Sequence, residues 1–299
     1  MSSIERFMAK KAEAERQKAA ELEAQKQQQS DSADVDNTEA LTHQSTHQTA
    51  KSESDNQQIL SAKAAYVQTT DVVKLTENLS IKDWPILDNN SPIAEQFSDI
   101  KHNLYKSVFG PIGKWQPQGN VIAITSANPE EGKSFCAMNL ALSIATEQDK
   151  NVILIDCDFQ KPTLHTICKM PADDGLSDYL KGRIDAVSSI VKDTDIEKLK
   201  IVPAGRQFND YSTLLNSDKL KKLVIELSEL CVDGVIILDT PSIFNVDDSS
   251  VIMDTCGHIL VVVEEGKTPL EQVKRITNLL PMNVTKAFVL NRVISDIRH

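Results

Sequence analysis

The run Ser126-Ala127-Asn128-Pro129-Glu130-Glu131-Gly132-Lys133-Ser134, with Phe135 directly after it, has the residue types and spacing to hold a polyphosphate. Backbone N–H groups of such a loop turn inward and, with the N-terminus of the helix that follows, make a nest for anions. Gly132 lets phosphates approach the backbone closely, Lys133 can reach β- and γ-phosphate oxygens, and the Ser134 hydroxyl can ligate Mg²⁺. Ala127 stands where this kind of loop usually begins with glycine, but the donors are backbone groups and survive that change. ATP with Mg²⁺ is therefore the expected cofactor, held by Ala127 through Phe135.

Two further carboxylate sites complete the set. Asp156-Cys157-Asp158 follows the apolar run Val152–Ile155. Carboxylates at the carboxyl end of a parallel strand face the crevice where ligands bind. Side chains alternate along an extended chain, so Asp156 and Asp158 are expected on one face, suited to metal binding and to deprotonating an attacking hydroxyl. Asp239-Thr240-Pro241 follows Val235–Leu238, four apolar residues and then a carboxylate that can orient Mg²⁺ or its waters. Asn291 and Arg292, at the end of a last apolar run, could offer an amide to an adenine edge.

These residues need a scaffold, and the rest of the sequence supplies it. Apolar runs at 121–124, 152–155, 235–238, 259–263 and 287–290 are nearly continuous, as strands buried on both faces of a parallel sheet must be. Helical patterns at 133–147, 217–230 and 269–280 alternate with them. Ser91-Pro92 opens another helix by cap-plus-proline chemistry, with Ile93, Phe97, Ile100 and Leu104 on one face. The pattern predicts an α/β, three-layer P-loop NTPase sandwich with a mostly parallel central sheet. No GxGxxG follows the first strand, which argues against a dinucleotide-binding oxidoreductase.

Upstream of Ser91 the composition changes. Residues 3–29 are rich in Ala, Glu, Lys and Gln and predict a polar helix. Residues 30–58 have almost no large apolar side chain and predict disorder, and 59–90 are mixed, with Trp84-Pro85-Ile86-Leu87 as candidate anchors. Two segments follow, a tail over 1–90 and an ATPase domain over 91–299. With 32 basic and 43 acidic residues the net charge is −11, which argues against nucleic-acid binding. Five dispersed cysteines, no apolar run long enough to span a bilayer and no signal-peptide core point to a cytoplasmic protein with reduced thiols.

With these elements in order, the chain from Ser91 to near Arg292 resembles the bacterial tyrosine kinases of capsule and exopolysaccharide operons. The matching stretches are Ser91–Gln96, Glu131–Ser134, Asp156–Pro162, Leu214–Ser217, Asp239–Pro241 and Val263–Thr268. The opening Met1–Arg6 resembles the exosortase-associated branch. The resemblance implies an ATP-dependent protein-tyrosine kinase in which Lys133 and Ser134 hold phosphate and Mg²⁺. It makes Asp156 the base for a tyrosine hydroxyl, with Asp158 and Asp239 supporting the metal. It also implies a membrane chain-length regulator (polysaccharide co-polymerase) as partner, homo-oligomers, and recruitment to the inner face of the plasma membrane.

Two departures qualify it. The family usually ends in a tyrosine cluster, whereas this sequence ends Ile297-Arg298-His299 and its tyrosines are Tyr66, Tyr105, Tyr179 and Tyr211. Many members carry two arginines after the glutamate of the oligomerisation helix, where Ser98 and Lys101 follow Glu95. A regulatory ATPase that does not phosphorylate is the alternative. A partitioning-type ATPase would need a lysine at position 128, which is Asn.

Overall fold

A computed structural model describes residues 72–293 apart from 89, 111–115, 147–149, 173, 208–210, 232 and 246–249. The helix expected over 3–29, the polar stretch 30–58 and Tyr66 lie outside the described residues.

Among the described residues one sheet is built from β1 Val121–Ser126, β2 Val152–Asp156, β3 Lys192–Asp193, β4 Leu199–Val202, β5 Val235–Asp239, β6 His258–Glu264 and β7 Thr285–Asn291. Their order is β3-β4-β2-β5-β1-β6-β7, and every neighbouring pair is parallel except β3 with β4. The longer helices are α1 Pro92–Val108, α2 Lys133–Ala145, α3 Asp218–Leu230 and α4 Leu270–Leu279. Period-2 alternation splits each central strand between two cores. Ile122, Ile124, Leu154, Ile237 and Leu260 pack with α1 and α2, while Val121, Ala123, Ile155, Leu238 and Val261 pack with α3 and Ile276 of α4. The result is the expected three-layer sandwich.

Helix α1 begins as its sequence requires: the Ser91 hydroxyl accepts from Ala94 N–H at 3.0 Å, and Pro92 opens the first turn. Packing extends upstream of it, because Leu75, Leu79 and Ile86 are buried in the same core as Phe97 and Leu104. Lys101, on the inner side of α1, donates to the Ser143 carbonyl in the last turn of α2, an orphan acceptor of that helix.

Two features differ from the expectation. Strands β3 and β4 were not among the apolar runs, since β4 is short and carries Lys200 in its middle. And β7 is not buried on both faces: it is the sheet's edge, with Phe288 42% and Leu290 54% exposed. No helix among the described residues is long and apolar enough to cross a membrane.

Candidate functional site: a phosphate loop over buried carboxylates

β1 and α2 position the loop. All six residues of β1 are buried, so the loop leaves a rigid strand and enters a helix whose N-cap is Gly132. That glycine has φ +97°, a conformation that favours Gly, and an added Cβ would lie 2.1 Å from the Asn291 side-chain amide nitrogen and displace it. Glu130 also takes positive φ (69°). No side chain caps α2, leaving its first N–H groups for a ligand.

A cavity of about 320 Å³ opens at this loop, lined by Pro129, Glu130, Gly132, Lys133, Ser134, Phe135, Asp158 and Arg292 among the expected residues. Gln160, Lys161, Thr163, Pro241 and Ser242 also line it. None of these five was given a site role in the sequence, although Gln160, Lys161 and Pro241 fall within the aspartate motifs and Thr163 and Ser242 follow them closely. Ala127, Asn128, Glu131, Asp156 and Asp239 do not line it. Asn291 lines an adjoining groove, and its amide donates to the Glu131 carbonyl at 2.9 Å. Phe135 is packed between aromatic neighbours, stacked on Trp84 at 5.4 Å and edge-on to Phe97 at 6.4 Å.

Sheet register brings the carboxylates together, with Asp156 directly opposite Asp239 on neighbouring strands. Lys133 reaches down to them: its ammonium is 2.6 Å from Asp158 Oδ2 and 3.9 Å from Asp239 Oδ1. Burial alone would lower the proton affinity of Lys133, but the Asp239 and Asp158 carboxylates outweigh it and the pKa is raised. Burial pushes Asp239 up to about 6, against the pull of Lys133 and the nearby Ser134 hydroxyl. Asp156 is pushed up to about 8 by burial and by Asp239, against amide hydrogen bonds from Leu164 and Thr163.

Asp156 and Asp158 both lie near Lys133 but differ in depth and partners. Asp156 is fully buried, with Oδ1 accepting from Asp158 N–H at 3.1 Å and Oδ2 from Thr163 and Leu164 N–H at 3.0 and 3.1 Å. Asp158 reaches the cavity. The strand ends at Asp156, and the chain turns back over the aspartate's own carboxylate.

Asp239 has the opposite character. Neither of its buried oxygens makes a hydrogen bond of normal geometry. Buried acceptors are satisfied as a rule, so these two oxygens, with Lys133 3.9 Å from one of them, have capacity for a further donor. Among the described residues no group of three or more His, Cys, Asp or Glu side chains could hold a metal unaided. Ser134, Asp158 and Asp239 are hard oxygen donors of the kind Mg²⁺ uses together with phosphates and waters.

A family model described as "AAA domain" matches residues 119–291. The tyrosine-protein kinase ptk of Acinetobacter johnsonii is 32% identical over 178 residues, 59% of this chain and 24% of that protein. The tyrosine-protein kinase YwqD of Bacillus subtilis is 31% identical over 187 residues, 62% of this chain and 75% of that protein. The match thus spans about a quarter of the longer relatives and most of the shorter one. Of solved structures, the chimerical protein CapA2B2 aligns with a TM-score of 0.61 and 28% identity, over 79% of this chain and 99% of that one. The kinase domain of Escherichia coli tyrosine kinase ETK shares the fold, with a TM-score of 0.63 and 24% identity over 72% of this chain and 82% of that one.

Proposed function

The chain belongs to the AAA-domain family and groups with bacterial tyrosine-protein kinases, and on that premise we propose that it binds Mg-ATP and phosphorylates tyrosine. The observation that carries the reading is the buried cluster of one ammonium, Lys133, against Asp158 and Asp239, with Asp156 beside them, beneath a phosphate loop. A triphosphate brought to that cluster needs further positive charge, and Mg²⁺ on Ser134, Asp158 and Asp239 would supply it. Lys133 would then leave Asp158 for the β- and γ-phosphates, while the loop backbone cradles them. Asn291 and Arg292, at the end of β7, would meet the adenine side of the nucleotide.

In the transfer, the tyrosine oxygen bonds to the γ-phosphorus, the bond to ADP breaks, and the phenolic proton passes to a carboxylate. Asp156 has that role by resemblance. Its oxygens are capped by amides of the 158–164 turn, so this role requires the turn to open when substrate arrives. The substrate in this reading is a tyrosine on a membrane chain-length regulator of polysaccharide export, on a second copy, or Tyr66 of the chain's own tail. A cytoplasmic location, with recruitment to the membrane by that regulator, belongs to the same reading.

A regulatory ATPase is the second reading, favoured by the packing of the described tyrosine side chains. Tyr105 stands edge-on to Phe109, and Tyr179 lies under Lys219 with 4.2 Å from ammonium to ring. Two measurements are needed, the first testing nucleotide binding and the second separating the readings. Calorimetry on the Lys133→Ala variant should show ATP binding weakened about ten- to a hundredfold, the worth of a charge-assisted hydrogen bond. Phosphosite mass spectrometry after incubation with Mg-ATP and a co-expressed regulator should find phosphotyrosine, reduced about 10²–10⁴-fold in Asp156→Asn if that residue is the base. ATP turnover without phosphotyrosine would select the regulatory ATPase.

A further inference from the structure

Glu131 belongs to the phosphate loop, yet its side chain avoids the cavity and the residue is 3% exposed. A buried carboxylate inside an anion-binding loop opposes the loop's own electrostatics, so its retention calls for a role in shape. The donors around it supply that role. Asn128 N–H donates to Oε2 at 3.0 Å, the Asn128 side-chain amide to Oε1 at 2.9 Å, and the Thr268 hydroxyl to Oε1 at 2.6 Å. Only a group that accepts on both oxygens satisfies this set. A carboxamide would turn its own N–H₂ against at least one donor.

The partners carry the connection out of the loop. Thr268 lies in the turn between β6 and α4, and its oxygen accepts from Glu264 N–H at 2.9 Å. The Glu264 carboxylate pairs with Arg292 at 2.8 Å, and Arg292 lines the cavity. Asn128 also donates to Gln272 Oε1 of α4 at 2.9 Å. The Glu131 carbonyl accepts from Asn291, the last residue of β7. On either side of Glu131, Glu130 and Gly132 both hold positive φ, a conformation that costs a non-glycine residue energy and persists only where neighbours enforce it.

We infer that Glu131 and Thr268 are positioning residues. Glu131 fixes the arc of the phosphate loop from inside, and Thr268 ties that arc to the 264–269 turn, so nucleotide affinity depends on a turn that does not touch the phosphates. Asn128, whose amide N–H is taken by Glu131, serves the loop's shape and is not one of its phosphate donors. This inference rests on the nucleotide-binding reading above.

The test uses Thr268→Val, which keeps the side chain's shape, removes the hydroxyl and alters no residue lining the cavity. Mg-ATP affinity is measured by calorimetry at a temperature where circular dichroism shows each variant fully folded. Thr268→Val should weaken binding about tenfold, equivalent to about 1.4 kcal/mol. Thr268→Ser, which restores the hydroxyl, should restore affinity. Glu131→Ala, which removes both acceptor oxygens, should weaken binding further, and Glu131→Ala/Thr268→Val should lose less than the product of the two single losses, because both changes break the Thr268–Glu131 bond. Parental affinity in folded Thr268→Val, or losses from the two changes that simply multiply, would overturn the coupling. Failure of Thr268→Ser to restore binding would do the same. Absence of Mg-ATP binding by the unaltered chain would instead overturn the nucleotide reading, and this inference with it.

Discussion

Asp158→Asn tests the assignment of the site more sharply than removal of the lysine does. Lys133 and Asp158 are 2.6 Å apart with side chains 10% and 5% exposed, so a nucleotide must take the ammonium from a close, largely buried partner. At that distance and an effective dielectric of ~20, the gross attraction is about 6 kcal/mol, most of it offset by desolvation. The net worth of such a charged hydrogen bond is about 1.5–3 kcal/mol. Asparagine keeps the size, and its Oδ1 can still accept from Lys161 N–H, as Asp158 Oδ1 does at 2.9 Å. Lys133 keeps Asp239 at 3.9 Å, so its charge is not stranded. What changes is the competition: phosphates no longer contend with a carboxylate for the ammonium, nor are they repelled by it. In EDTA, ATP should bind about ten- to a hundredfold more tightly to the variant than to the parent. In excess Mg²⁺ the gain should vanish or reverse, because the same substitution removes a proposed metal ligand. Calorimetry under the two conditions reads both effects. An unchanged affinity in EDTA would refute the competition, and an unchanged Mg²⁺ dependence would remove Asp158 from the metal site.

Two predictions concern the scaffold. Ser91→Ala removes a hydroxyl that accepts from Ala94 N–H and donates to the Pro85 carbonyl at 2.6 Å, so urea unfolding should show a loss of about 1–2 kcal/mol; an unchanged midpoint would contradict the cap. His258 is buried against Ser107, with Oγ to Nε2 at 2.7 Å, and burial lowers its pKa from the ordinary 6.5. The unfolded chain then binds more protons in mild acid, so stability present above about pH 6.5 declines as pH falls through the folded pKa. His258→Gln should flatten the acid side of the stability profile, and an unaltered slope would show that His258 does not contribute to it.

How much could be read from the residues alone follows from the range of the forces involved. The place of Gly132, Lys133 and Ser134 between a buried strand and a helix, lining one cavity, was legible because their types and spacing are local features. Asp239 was legible because four apolar residues and a carboxylate mark a strand arriving at a crevice. Strand β4 was not, because Lys200 interrupts its apolar run and pairs with Asp193 of the edge strand, a contact made only once the sheet exists. The exposure of β7 was hidden as well. Ala287–Leu290 reads as a buried run, and only the strand order places it at an edge. The bond from Thr268 to Glu131 spans 137 positions, beyond any local pattern.

Asp156 and Asp158 show where the local rule stops. Alternation says which side a residue takes but not how deep it lies, and here the strand ends at Asp156, whose carboxylate accepts the very amide that turns the chain away. One aspartate becomes the anchor of its turn and the other faces the cavity, although two residues apart they look equivalent in sequence. The division has a chemical consequence. An aspartate anchored by the Asp158, Thr163 and Leu164 amides is well placed but closed, and freeing it means breaking bonds that hold the 158–164 turn. Asp158 and Lys161 in that turn line the cavity, so a ligand that draws Lys133 away from Asp158 acts on the turn directly. In the kinase reading a nucleotide would act on the same short segment that covers Asp156, so the proposed base would be uncovered only where there is a phosphate to transfer.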